Sequence, residues 1–293
     1  MKTVYALGFF DGVHLGHQAL LKACVSMAKS MDAVPCALTF DIHPQAVVNG
    51  TAPAMLNTPL DRVRLLEQQG MQQVHTLHFD RDTMSMPGEA FFAYLTEQLG
   101  ASGLVCGDDF RFGKGGEGTA QMLQTLCAHA NIPCTVVQEQ TVDGIRVSST
   151  HIRELIAKGQ MEDAVRFLGH PHILSGTVVS GRKLGRTIGV PTANVILPEG
   201  VIVPAFGVYA ARVQLEDRTY TTVVNIGTRP TVGGHRVTVE PWILDFEQDI
   251  YGKTITLQFY SFLRPEEKFV SLEVLKGQIQ KDAEKTIEFF AKN

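Results

Sequence analysis

Hydrophobic and polar positions along the chain follow two different grammars. Up to about residue 170, short apolar runs alternate with stretches of helical period. VYALGFF, VPCALTF, VHTLHF, GLVCG and CTVVQ read as buried strands. Between them, LLKACVSMAKSM places Leu20, Cys24, Met27 and Met31 on one helical face. TPLDRVRLLEQQG is framed as a helix by Thr58 as N-cap, Pro59 at the first helical position and Gly70 at the end. EAFFAYLTEQLG and AQMLQTLCAHA carry the same spacing. Strands alternating with helices predict a parallel sheet covered on both faces.

From Leu174 the runs become β-branched and are broken by Gly, Pro and Asn: LSGTVVSG, ANVILP, GVYAARVQL, YTTVVNIG, RVTVEPWIL and TITLQFYSFL. Short strands at this spacing predict an antiparallel barrel or sandwich. SLEVLKGQIQKDAEKTIEFFAKN predicts a terminal helix with Ser271 as N-cap. HIRELIAKGQMEDAVRFLGH predicts paired helices leading to a boundary, with HPH at 170–172 as the hinge. The expected organisation is an α/β unit over 1–169 and a β-rich unit over 174–293.

Composition narrows the class. The 293 residues are 44% hydrophobic and 19% charged, enough for two cores. A net charge of −4 gives no reason to expect nucleic-acid or membrane binding, so any basic site is local. Five cysteines (Cys24, Cys36, Cys106, Cys127, Cys134) form no CxxC pair, which fits reduced thiols and a cytoplasmic location. MKTVYALGFF reads as a strand rather than a leader, since Asp11 interrupts it. No run approaches the ~18–20 apolar residues of a membrane span.

The chemistry gathers where strands end. GFFDGVHLGH lies between the first strand and the first helix, where open α/β sheets bind ligands. Gly12 and Gly16 permit a tight turn, and the helix N-terminus beyond favours negative charge. His14 and His17 can donate hydrogen bonds to phosphate oxygens. As a zinc pair they have the wrong spacing and no local third ligand. VSSTHIRE offers Ser148, Ser149, Thr150 and Arg153 as a second anion clamp, and equally as a Ser/Thr helix cap. In GDDFRFGKGG, Asp109, Phe110 and Phe112 can hold a planar ring, and Lys114 can meet phosphate. TFDIHP adds His43 to the same sheet edge.

In the second half, GRKLGRTIGVPTAN carries Gly181, Gly185 and Gly189 with Arg182, Lys183 and Arg186, a flexible basic loop able to wrap phosphates. Thr192 and Asn194 share one face of an extended strand, so both oxygens can serve one Mg²⁺. This is not a Walker A loop. Glu240, in the otherwise apolar RVTVEPWIL, is either an exposed edge residue or a placed carboxylate, because unpaired burial costs several kcal/mol.

Taken together and in order, GxFDGxHxGH, FDxHP, GDDFRFG, SSTxIR, GVPTAN, NIGTRPTVGG, VEPWILDFEQDIYG and FLRPEE resemble the bacterial bifunctional riboflavin kinase/FAD synthetase family over the full chain. That resemblance implies a Rossmann-like nucleotidyltransferase domain over 1–169 and an antiparallel barrel kinase domain over 174–293. It implies an ATP-phosphate loop of Gly8, Phe10, Asp11, Gly12 and Gly16, with His14, His17 and Arg153 catalytic and Ser148, Ser149 and Thr150 as the second clamp. For the kinase it implies Gly181, Lys183, Gly185, Arg186 and Gly189 on ATP, Thr192 and Asn194 on Mg²⁺, and Glu240 as base. His43, Asp109, Phe110 and Phe112, then Asn225 and Arg264, would meet flavin, Arg264 from a loop closing over it. The implied small molecules are riboflavin, FMN and ATP. The chain departs from the pattern at Phe9, where many relatives carry Asn or Thr, and at Trp242, where they often have His or Phe. Two other readings stay open: a kinase whose first domain is idle, and a flavin-binding protein without turnover.

Overall fold

The computed structural model describes residues 2–181, 189–231 and 234–292. Contacts divide it into two compact units, one of Met1–Ala54 and Pro59–Ser149, the other of Met55–Thr58 and Thr150–Asn293.

The first unit runs β1 (Thr3–Leu7), α1 (Leu15–Ser30), β2 (Val34–Phe40), α2 (Pro44–Asn49), α3 (Pro59–Gln68), β3 (Gln73–Leu77), α4 (Arg81–Ser85) and α5 (Gly88–Ala93). It continues through β4 (Ala101–Gly107), β5 (Arg111–Phe112), β6 (Gly118–Thr119), α6 (Ala120–His129), β7 (Cys134–Val137), β8 (Thr141–Val142) and β9 (Ile145–Arg146). Five strands form a parallel sheet in the order β3-β2-β1-β4-β7. The middle of β2 is buried without a break, as a strand covered on both faces must be. On α1 the buried stripe is Leu20, Leu21, Cys24 and Ala28. Met27 and Met31, expected on that face, are half-buried at its margin. The helix expected over EAFFAYLTEQLG is α5 continued by a π turn, Tyr94–Gln98. The chain leaves β1 for β2 on one side and returns at β4 on the other. The reversal puts the ligand crevice at the carboxyl ends of β1 and β4.

The second unit contains α7 (from Ser149, ending at Ala157) and α8 (Met161–Leu168). Its strands are β10 (His172–Val179), β11 (Asn194–Ile196), β12 (Gly207–Leu215), β13 (Arg218–Thr231), β14 (Gly234–Ile243) and β15 (Thr254–Pro265), and the unit ends in α9 (Leu272–Lys292). The strands close into a barrel in the order β10-β11-β14-β13-β12-β15, every pairing antiparallel, which leaves no free sheet edge. Ser271 caps α9, its Oγ accepting from the Val274 N–H at 3.3 Å. The helix covers one barrel face, where Ala283 packs with Val208, Val223 and Trp242. Met55–Thr58 belongs to this unit through bonds with Gly200 and Ile202 and through the Asn57 amide, which donates to the Ile173 carbonyl at 3.1 Å. His172, expected at a hinge, is the buried first residue of β10.

Candidate active sites

In the first unit the site forms because β1 ends abruptly. Its last residue, Leu7, is followed by a loop in which Phe10, Gly12 and Val13 all take positive φ, at 57°, 83° and 40°. A glycine does this freely; for phenylalanine and a β-branched valine it costs about 1–3 kcal/mol each. Complete burial of both side chains offsets that cost. The Phe10 ring lies against Gly8 and meets the His17 ring edge-on at 5.3 Å. Asp11 is 2% exposed, and its carbonyl accepts from Ser149 Oγ at 2.9 Å.

His14 is the N-cap of α1. Its Nδ1 accepts from the His17 N–H at 3.4 Å, which leaves the ring proton on Nε2 as a donor. The two imidazoles stack with centroids 3.6 Å apart and planes 14° from parallel, and Gly16 sits against the His14 ring. Burial, then His14, then Arg62 hold His17 well below the ordinary histidine range. Its buried Nδ1 has no hydrogen-bond partner among the described residues. A stacked imidazole pair at a helix N-terminus, with His17 kept neutral by burial, can receive an anion and stabilise charge that develops on it.

Other expected residues of the first unit lie at the ends of β2 and β4. His43 caps α2, accepting from the Gln45 N–H at 3.2 Å, and meets the Phe9 ring edge-on at 4.7 Å. Asp109 follows β4 and pairs with Arg146 at 2.6 Å, an exposed ion pair of little energetic weight. Phe110 is half-buried and stacks at 5.8 Å on Phe112. Phe112 itself belongs to the core, 6% exposed, so it backs Phe110 rather than offering an open face. Ser148 is half-buried, while Thr150 and Arg153 open α7 in the second unit.

In the barrel, register builds the site. Val195 pairs with Val239, and the Ala193 N–H donates to the Pro241 carbonyl at 2.9 Å, so Asn194 stands opposite Glu240. Glu240 pairs with Asn225, Asn225 with Val208, and Val208 with Arg264. Cross-strand partners share a face. One row across five strands therefore presents Asn194, Glu240, Asn225 and Arg264 together. Thr192, Asn225, Glu240, Trp242, Arg264 and Asp282 line a cavity of about 400 Å³. A second hollow of about 370 Å³, bounded by Pro191, Phe246, Gln248 and Tyr251, has Thr192 in its wall as well. Both volumes suit small molecules. A Cβ on Gly181 would lie 2.2 Å from the Asn194 amide, so a side chain there would displace that amide. Thr192 stands in the cavity wall with the Glu240 carboxylate, and Asn194 stands opposite Glu240 in register; hydroxyl and amide oxygens of this kind suit a hard cation shared with phosphate. Gly189 turns with φ of 76°. Lys183, Gly185 and Arg186, with Arg182, lie outside the described residues.

Arg264 corrects an expectation. It belongs to β15 and not to a loop, because β12 continues to pair with that strand up to Pro265. Its guanidinium is bound by Asp282 through three contacts of 2.8–3.1 Å. Asp282 is 1% exposed and also accepts from the Gln278 amide at 2.9 Å.

Comparison with known families agrees with this division. A model described as FAD synthetase matches residues 1–151, and one described as riboflavin kinase matches residues 168–290. A bifunctional riboflavin kinase/FMN adenylyltransferase of Listeria monocytogenes is 37% identical over 295 residues, covering 100% of this chain and 94% of its own. The enzyme of that name from Escherichia coli K12 is 38% identical, covering 98% and 92%. The chain belongs to the bifunctional riboflavin kinase/FMN adenylyltransferase family. A solved structure described as a macrolide-efflux protein from Streptococcus pneumoniae aligns with a TM-score of 0.88 at 32% identity, over 97% of this chain and 93% of that one. What the two share is the two-unit fold. No helix among the described residues is long and apolar enough to cross a membrane.

Two buried charged residues beside these sites carry no motif in the sequence. Arg62 is 2% exposed beneath the histidine loop, and Asp282 is the counter-charge of Arg264. Both sit in helices crowded with charges. The usable signal was position: each falls on the face that its helix buries.

Proposed function

We infer that the chain phosphorylates riboflavin to FMN and then adenylylates FMN to FAD, with ATP as donor in both steps. We assign the first step to residues 174–293 and the second to residues 1–169. The observation that carries this reading is the contrast between the sites: a wall carboxylate in the barrel, and two stacked imidazoles at a helix N-terminus in the α/β unit.

In the barrel, the ribityl 5′-hydroxyl is a weak nucleophile and must lose its proton as it attacks the ATP γ-phosphorus. Glu240, on the cavity wall with Asn225 beside it, accepts that proton. Riboflavin and ATP become FMN and ADP. The two hollows that meet at Thr192 suit flavin on the Glu240 side and nucleotide on the other. Oxygens of Thr192 and Asn194 would hold Mg²⁺, which would supply charge neutralisation at the transferred phosphoryl group. Arg264 shapes the flavin side from its bond to Asp282.

In the α/β unit the FMN phosphate is already an anion and attacks the ATP α-phosphorus without a base. FMN and ATP become FAD and pyrophosphate. His14 Nε2–H and His17 stabilise the charge at the α-phosphoryl group and on the leaving pyrophosphate. The turn of Phe10, Asp11 and Gly12, with Ser148 and Ser149, completes the cradle, and Thr150 and Arg153 are assigned to phosphate as well. His43, Asp109 and Phe110 are assigned to the flavin. Five free thiols support a cytoplasmic location.

The test is chromatography of flavins after incubating the chain with riboflavin, ATP and Mg²⁺. The reading predicts FMN first and FAD after it. FMN alone would remove the adenylyltransferase assignment, and neither product would remove both.

A further inference from the structure

Arg62 belongs to none of the motifs, yet it joins the ends of two strands. From α3, Nη1 donates to the Phe9 carbonyl at 3.2 Å and Nη2 to the Phe40 carbonyl at 2.8 Å. The Phe9 carbonyl also accepts from Thr39 Oγ1 at 2.9 Å. The guanidinium lies 4.6 Å from the centre of the Phe9 ring, whose edge contact with His43 completes a stack of three side chains. Carbonyls 9 and 11 are therefore both pinned, the first by Arg62 and Thr39 and the second by Ser149. Between them lies Phe10, held in a left-handed conformation. A strained loop keeps its shape only when its neighbours over-determine it.

Charge points the same way. Arg62 is 2% exposed, its Nε is buried without a hydrogen-bond partner, and its two hydrogen bonds run to neutral carbonyls. Removing a guanidinium from water is costly, and carbonyls do not cancel its charge. The Asp11 and Asp41 carboxylates favour the charged form against burial. Those carboxylates offset part of the charge, and the remaining positive field in the floor of a cradle for triphosphate and FMN favours both anions.

We propose that Arg62 is a positioning residue for adenylyl transfer, presetting the histidine loop by clasping the ends of β1 and β2 and drawing the two anionic substrates in by its charge. This rests on the adenylyltransferase reading of the first unit. The two roles separate by chemistry. The clasp needs a planar fork and acts on kcat, because a misplaced loop costs about 10²-fold. The charge acts on both substrates before reaction and shows in KM.

The experiment measures FMN adenylylation kinetics for the full chain and for Arg62→Lys and Arg62→Met, with riboflavin phosphorylation by the same proteins as internal reference. Arg62→Met is expected to lose about 10²-fold in kcat and to raise KM for ATP and FMN about tenfold. Arg62→Lys is expected to keep KM near that of the parent while kcat still falls about tenfold or more. If Arg62→Met fails to fold, the lysine variant carries the test through its split between kcat and KM. Unchanged constants in Arg62→Lys and Arg62→Met, or a loss in both that shows no such split, would overturn the proposal. A parent protein that makes no FAD from FMN and ATP would instead sink the underlying reading.

Discussion

The loop after β1 and the strand row of the barrel, the two places to which the proposed function assigns phosphate chemistry, are built from different materials. The loop places a helix N-terminus and two stacked imidazoles, one of them kept neutral by burial. The row places Glu240 and Asn225 on a cavity wall by strand register. On the proposed function the difference follows from the nucleophile. A phosphate oxygen arrives charged and needs its partner's charge stabilised, whereas a hydroxyl needs a base. One chain can therefore carry both transfers without sharing a residue between them.

Substitutions that remove one material break this contrast in a directed way. Glu240→Gln is expected to cost about 10²–10⁴-fold in FMN formation while FMN adenylylation keeps its rate; initial rates with each flavin check it, and a parallel loss of both would refute the separation. His17→Ala is expected to lower FAD formation by about 10²–10³-fold and to leave the kinase rate intact. Should FAD formation survive that change, the imidazole pair is only a cap.

Two smaller effects sharpen the barrel side. Asp282→Asn leaves a mostly buried guanidinium without its counter-charge and should cost roughly 3–5 kcal/mol in urea unfolding of that unit, with a raised KM for riboflavin. An unchanged midpoint would mean that α9 is held by its apolar contacts alone. Burial pushes His172 from the ordinary value of 6.5 down to about 3. The unfolded chain thus binds the extra proton between those values, and stability falls as pH drops through that window. The slope is up to about 1.4 kcal/mol per pH unit. His172→Phe should flatten the slope between pH 6.5 and 4 in unfolding series; an equally steep slope in that variant would place its origin elsewhere.

How much of this was legible varies by residue. The span of β2 and the existence of the six barrel strands were readable, because apolar runs and β-branched patterns persist across a whole strand. His14 and His17 stood out by type and spacing. Their stacking, and the partnerless Nδ1 of His17, depend on φ angles at Phe10 and Val13 that no local pattern announces. Arg62 and Arg64 look alike in sequence, two residues apart on one helix. Yet the first is 2% exposed and the Arg64 side chain is 47% exposed. Only the neighbouring strand ends make that distinction. The family resemblance implies a loop at Arg264, and pairing with β12 keeps it in a strand. Phe112 reads as a ring-binding aromatic, and close packing places it in the core.

The most direct test mixes two crippled proteins, Glu240→Gln and His17→Ala, with riboflavin, ATP and Mg²⁺. Alone, the first should give neither product from riboflavin and the second should stop at FMN. Mixed, they should make FAD, because FMN released by one chain is adenylylated by the other. A mixture that accumulates FMN without FAD, or yields neither, would contradict the account of two separate sites.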